Sequence, residues 1–311
     1  MPGISSALKR FKKIRIRRAL RFRIWRAPRF RNEKRIVSGR DVRTGTTQPS
    51  ILFATMHKAA SVFVWSILAE IASDYRYGTA DFDGYFYHQG KTRHPLRSDY
   101  FKETGMFYGP FRRGFEHIGD DNHQLDLNSF KVILQLRDPR DVLTSSYYSF
   151  LHSHAVPRKD RKRMQAVRNR LSRQNITDHV RAQTEFFYQL LNRYSRLFTH
   201  PNCLVLHYED MTLRPEKWGR QLLDFLEPED ETAARRTLKK VTVSADDVPD
   251  VIQLESHKRR VTPGEFREVL PTEVIARLNE RFSEYFAALQ AVGELPANYE
   301  SANYQNQQTI K

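Results

Sequence analysis

The chain has 311 residues, 40% hydrophobic and 28% charged, with a formal net charge of +16 at pH 7. That length and balance fit a soluble globular protein with a substantial core. There is no apolar run of about 18 residues to span a membrane and no apolar stretch of a secretory signal behind the first basic residues. The single cysteine, Cys203, excludes an internal disulfide and a cysteine-based zinc cluster, and it suits a reducing, cytoplasmic setting.

The charge is unevenly placed. Residues 1–40 hold 15 Lys and Arg against one acidic residue, Glu33, so this stretch is +14 and the remainder is +2. The organisation expected is a basic arm over 1–44, a globular domain over 45–297 and a polar tail over 298–311. In the arm, Ile4, Leu8 and Phe11 have helical spacing, while Leu20, Phe22 and Ile24 alternate with Arg21 and Arg23 as in a strand. Arginines mixed with Phe, Ile and Trp25 suit an anionic membrane surface, which would make the protein peripheral there. They also suit nucleic acid or an acidic polysaccharide, and a disordered solubilising tail is the plain alternative.

Beyond the arm, Ile51–Met56 is a short apolar run that reads as a buried strand, followed by a small, polar loop over 57–61 and an apolar helix over 62–73. Residues 105–112 read as a strand and its end. Residues 131–136 form another apolar run, then RDPRD and a helical stretch. Residues 158–173 are rich in Arg and Lys, as a surface helix or a lid, and 177–198 has amphipathic helical spacing. A further strand over 203–208 precedes a helix carrying Trp218, Leu222, Leu223 and Leu226, and 272–290 reads as one more amphipathic helix. Strands alternating with helices imply an α/β domain with a central, mainly parallel sheet flanked by helices. Such sheets bind ligands beyond the carboxyl ends of their strands.

Three segments at such positions carry suitable chemistry. In HKAAS, the helix N-terminus offers unpaired N–H groups to an anion. Ala59, Ala60 and Ser61 are small enough for close approach, and Lys58 adds a full charge. An ordinary strand–helix turn with an exposed lysine explains the same residues. In RDPRDVLTSSYYS, Asp138 suits an N-cap, Pro139 the first helical position and Asp141 the completion of a capping box. Those roles leave Arg137 and Ser145 unexplained, and a guanidinium at a strand end suits fork-like contact with a phosphate. In HKRRVTPGEF, four basic residues, His257 to Arg260, precede Pro263-Gly264. A solvated basic loop is the usual meaning of such a run, but Gly264 suggests a special backbone conformation.

Taken together, these segments resemble the sulfotransferases that use 3′-phosphoadenosine-5′-phosphosulfate (PAPS). HKAASVF is similar to that family's P-K-S-G-T-T-W loop, RDPRDVLTSSYYS to R-x-P-[KR]-D-x-x-x-S, RRVTPGEF to R-K-G-x-x-G-x-W, and LHYEDM to L-x-Y-E-D-M. The resemblance spans roughly 50–290 and implies a P-loop NTPase-like fold, with PAPS as donor and no metal. It assigns residues His57, Lys58, Ala59, Ala60, Ser61, Val62 and Phe63 to the 5′-phosphosulfate loop, and Arg137 and Ser145 to the 3′-phosphate. Tyr208 falls in the nucleotide pocket, and Arg259, Arg260 and Gly264 in the closing loop. The chain departs from the pattern at Val62, where a threonine hydroxyl is missing, and at Val261, which stands in place of the first loop glycine. Phe63 and Phe266 stand in place of tryptophans.

Sulfuryl transfer is an in-line displacement in which positioning and charge stabilisation dominate, as in phosphoryl transfer. Lys58 would stabilise the leaving oxygen. A general base must take the proton of the acceptor hydroxyl. His117 is the first candidate, with His88 and Glu103 as alternatives, and Arg112 is placed to contact donor or acceptor. The acceptor class is open between carbohydrate, glycolipid and small molecule. The competing readings are a P-loop-class phosphotransferase, which lacks here the glycines and the Lys-[ST] pair of the triphosphate loop, and a membrane- or nucleic-acid-binding protein driven by the arm.

Overall fold

The computed structural model describes residues 30–90, 96–113, 119–120, 123–154, 156, 160–227 and 263–293, with a few further positions between 232 and 239. His117, Arg259, Arg260 and Val261 lie outside the described residues, as do residues 1–29 of the arm expected over 1–44 and the tail over 298–311. The chain forms two compact units, Met1–Val42 and Arg43–Lys311. In the first, helix α1 (Arg31–Val37) is followed by a turn in which the Arg35 guanidinium donates to the Asp41 carbonyl at 2.7 and 3.0 Å.

In the second unit, strands β1 (Ile51–Thr55), β2 (Gly78–Ala80), β3 (Met106–Phe111), β6 (Lys131–Leu136) and β7 (Cys203–His207) make one sheet in the order β2-β3-β1-β6-β7, every pair parallel. Strands β4 (Gly119–Asp120) and β5 (His123–Gln124) form a separate antiparallel pair. The central strands read as unbroken apolar runs because both faces are covered. Ile51, Phe53 and Ile133 turn to one core with Val64, Leu68 and Trp218. Ala54, Leu134 and Leu136 turn to the other, with Val142, Leu190 and Tyr285. This alternation is the two-residue period of a strand.

Helices α2 (Ser61–Asp74) and α3 (Phe82–His88) follow β1 and β2, and α4 (Pro139–Tyr148) follows β6. Helix α5 (Arg161–Leu171) carries five basic residues and no acidic one, and those basic side chains lie exposed or half-buried. After α6 (Ile176–Ser195) and β7 come α7 (Tyr208–Leu213) and α8 (Pro215–Leu226). A short turn of helix, α9 (Phe266–Val269), leads into α10 (Thr272–Arg281) and α11 (Ser283–Val292). The single helix expected over 272–290 is therefore two. The chain bends at Phe282, whose fully buried ring packs into the core between them. No described helix is long and apolar enough to cross a membrane.

One side chain braces the ligand-facing edge of the sheet. The Tyr194 hydroxyl, from α6, donates to the Thr55 carbonyl at 2.6 Å and lies 3.4 Å from the Phe111 carbonyl, at the ends of β1 and β3. Tyr194→Phe removes this hydrogen bond from a buried position. Urea unfolding of that variant should show a loss of about 1–2 kcal/mol, and an unchanged midpoint would remove this brace.

Candidate active site

The strand order reverses at β1, which has β3 on one side and β6 on the other. The segments after β1 and β6 therefore meet at a switch point, where open α/β sheets bind their ligands. The loop after β1 is tightly wound. Lys58 and Ala60 both take left-handed backbone conformations, with φ of 69° and 57°. For residues with a Cβ such angles are strained and tend to mark functional loops. Ala60 caps α2 with its carbonyl, which accepts from Phe63 and Val64 N–H. The N–H groups of Ser61 and Val62 open the helix, where no carbonyl of that helix precedes them. Val62 is 70% exposed, and Phe63 is half-buried against the core.

Two cations converge on this loop from neighbouring strands. Arg137, just past β6, donates from Nη1 to the Lys58 carbonyl at 3.0 Å. Arg112, just past β3, donates from Nε to the Ser61 hydroxyl at 3.1 Å, and its own N–H donates to Asp83 at 3.1 Å. Burial, and after it the Arg137 charge, lower the Lys58 amine to about 8. Burial and the charges of Arg112, Arg113, His154 and Lys58 lower His57 to about 3, so that imidazole is neutral at physiological pH.

Arg137 does not stand open at the strand end. It is buried, its guanidinium lying 4.2 Å above the Tyr208 ring, and its Nε has no hydrogen-bond partner. Burial opposes its charge, but Tyr208, Asp141, Glu209 and Asp138 outweigh that and hold its pKa above the usual value. Beneath it, Glu209 accepts from Asp138 N–H at 2.9 Å, and burial pushes its carboxyl up to about 8. Tyr208 is thus the platform on which Arg137 rests. Arg137 precedes α4, with its Nη2 3.9 Å from the Asp141 carboxylate, while Asp141 and Ser145, four apart, fall on one face of that helix. Ser145 is half-buried on that face.

The capping expectation holds for Asp138 and fails for Asp141. The Asp138 carboxylate accepts from Arg140 N–H at 2.9 Å, and Pro139 takes the first turn. Asp141 closes no capping box. Its carboxylate instead accepts from Gly264 N–H at 2.6 Å and Phe266 N–H at 3.1 Å, a tertiary contact that sequence spacing does not reveal. Gly264 has φ of 93°, in the region that favours glycine. Phe266 is buried beneath the Arg140 guanidinium, 4.3 Å from its ring. Arg140 also binds Asp138 and Asn279, so it acts as structural glue.

Of the alternative bases, Glu103 is corrected by topology. Its carbonyl accepts from Ser50 N–H, just ahead of β1, so it sits at the amino edge of the sheet, opposite Lys58. His88 is exposed at the last position of α3. The contact of Arg112 with Ser61 and the left-handed backbone of Ala60 are the site features that residue patterns missed. The position of Arg112 after a strand end was legible, but its partner was not, and nothing in an alanine signals a positive φ. Among the described residues no three His, Cys, Asp or Glu side chains gather to hold a metal.

A parallel sheet with a strained strand–helix loop at its switch point and two arginines turned onto that loop defines a P-loop-like α/β protein. The sulfotransferase domain family matches residues 116–290, more than half of the chain, and the chain belongs to that family. The match starts after the first loop and includes the segments around Arg137, Tyr208 and Gly264. Among solved structures, mouse sulfotransferase SULT7A1 complexed with PAP is similar over 82% of this chain and 89% of its own, with a TM-score of 0.50 and 12% identity. Retinol dehydratase, solved with androsterone and inactive cofactor PAP and also with retinol and PAP, is similar over 78% of this chain and 82% of its own, with a TM-score of 0.50 and 13% identity. At such identities the likeness describes the fold. No curated protein matches the sequence.

Proposed function

We propose that this sulfotransferase moves a sulfuryl group from PAPS to an acceptor hydroxyl by in-line displacement. The observation that carries the reading is the meeting of the β1 loop with Arg137: Lys58 lies at the strand end, and its carbonyl is tied to the arginine of the second motif. The 5′-phosphosulfate would lie on the loop from His57 to Phe63, against the N–H groups of Ser61 and Val62 and the Lys58 ammonium. The 3′-phosphate would be taken by Arg137 and Ser145, beside Tyr208, with Arg259, Arg260 and Gly264 closing over the nucleotide. The solved neighbours were crystallised with PAP, the nucleotide left after transfer. His117 is the proposed base. The acceptor is proposed to be a carbohydrate, glycolipid or small molecule, and the basic arm would bring the domain to an anionic surface.

Incubation with ³⁵S-labelled PAPS or γ-labelled ATP and a panel of hydroxyl acceptors tests the reading. Label should move from PAPS and not from ATP, and transfer from ATP alone would favour a phosphotransferase. A second expectation follows from Lys58. An ammonium with a pKa of about 8 binds an anion while protonated. PAP affinity should therefore fall as pH rises through about 8, and this fall should vanish in Lys58→Met. An affinity flat from pH 7 to 9 would place Lys58 away from the nucleotide.

A further inference from the structure

Asp141 faces two partners with one carboxylate. Its Oδ2 accepts from Gly264 N–H at 2.6 Å and lies 3.9 Å from Arg137 Nη2, while its Oδ1 accepts from Phe266 N–H at 3.1 Å. The aspartate is almost completely buried. Burial pushes its carboxyl above the ordinary range, against the pull of Arg137 and of the two amides. The two amides belong to the turn that leads into α9 and to the first residue of that helix, and Gly264 comes four residues after Arg260 in the sequence. That turn is held on α4 a second time, through Phe266 under Arg140. The contact joins residues more than 120 positions apart.

From this arrangement we infer that Asp141 is a positioning residue that latches the turn beginning at Gly264 to the guanidinium of Arg137, so that the 3′-phosphate arginine and this turn act as one unit. The inference rests on the donor site proposed above. It goes beyond that reading by giving a role to a side chain outside the set assigned to the nucleotide. A carboxylate shared between an arginine and two backbone amides fixes both in register. By linkage, whatever orders Arg137 around an anion must also order the turn, and the reverse. Asparagine keeps the shape, but it can accept from one amide only while its NH2 faces the other, and it offers Arg137 no charge.

The test compares the full chain with Asp141→Asn and Gly264→Ala. The second variant acts from the far end of the same hydrogen bond, by putting a Cβ where φ is 93° and Arg267 Nη1 would lie 2.7 Å away. It keeps the question answerable if Asp141→Asn does not fold. Calorimetric titrations with PAP and with AMP, which lacks the 3′-phosphate, are combined with hydrogen exchange at 264–270. Both variants should bind PAP about tenfold more weakly, with AMP affinity nearly unmoved and the Gly264 and Phe266 amides exchanging faster. In turnover the donor KM should rise more than kcat falls. Variants that bind PAP like the wild type, or that lose PAP and AMP equally, would overturn the latch and leave Asp141 a role in folding alone. A wild-type chain that binds no PAP would instead overturn the donor site itself, and the latch with it.

Discussion

Replacing Lys58 with alanine should cut sulfuryl turnover by about 10²–10³-fold, the loss expected when one preorganised group that stabilises the leaving charge is removed. The oxygen between phosphate and sulfur carries little charge in the bound donor and becomes negative as the bond to sulfur breaks. A cation at that oxygen therefore gains most of its interaction in the transition state. Lys58 fits the requirement because of where the fold holds it. Its backbone is wound into a left-handed turn at the end of β1 and fastened there by Arg137. Its amine is lowered to about 8, so at pH 7 it is still mostly charged, and an anionic donor favours the charged form further. Single-turnover rates measured over a range of PAPS concentrations give the rate and the donor affinity separately. A large fall in rate with a small change in affinity is expected. Equal losses in both, or none, would make Lys58 a binding residue or a bystander.

Arg137→Ala should weaken PAP binding by about 2–5 kcal/mol, the cost of truncating one member of a buried charged pair. The large figure reflects the surroundings of the guanidinium. It lies on the Tyr208 ring, under the Lys58 carbonyl and beside Asp141, with an Nε that has no partner. Its removal also leaves the buried Asp141 without its cation. Some of the loss should therefore appear as a lower unfolding midpoint of the nucleotide-free chain, and AMP can serve as the internal reference. A loss confined to ligands with a 3′-phosphate supports the assignment. Unchanged PAP affinity would show the assignment wrong.

The parts of this molecule that could be read from residue patterns are those decided by local periodicity. β1 and β6 fall where apolar runs place them, because strands buried on both faces have no polar alternation to confuse them, and the half-buried edge strand β7 follows its own apolar run. The N-cap at Asp138 and the proline after it are local as well. The failures come from contacts between distant positions. Asp141 looks like half of a capping box, yet its partners are the amides of Gly264 and Phe266, on a turn that only the fold brings near. Glu103 resembles a plausible base until the parallel sheet puts it at the amino edge. Arg112 reaches Ser61 across a gap of about fifty residues. The helix expected over 272–290 breaks because Phe282 is needed in the core, a demand that amphipathic spacing does not record. The charge of +16 misleads in the other direction. Most of it lies in residues 1–40, and the cations of the proposed donor site are a few side chains at strand ends.

Calorimetric titration of the full chain with PAP and AMP in parallel puts the central claim, a site built for a 3′-phosphorylated nucleotide, to its most direct test. The arrangement of Lys58, Arg137 and Tyr208 predicts one PAP per chain, bound about a hundredfold or more tighter than AMP, the discrimination of a desolvated charge contact of roughly 3 kcal/mol. PAP and AMP binding with equal affinity, or no heat from PAP at all, would contradict it.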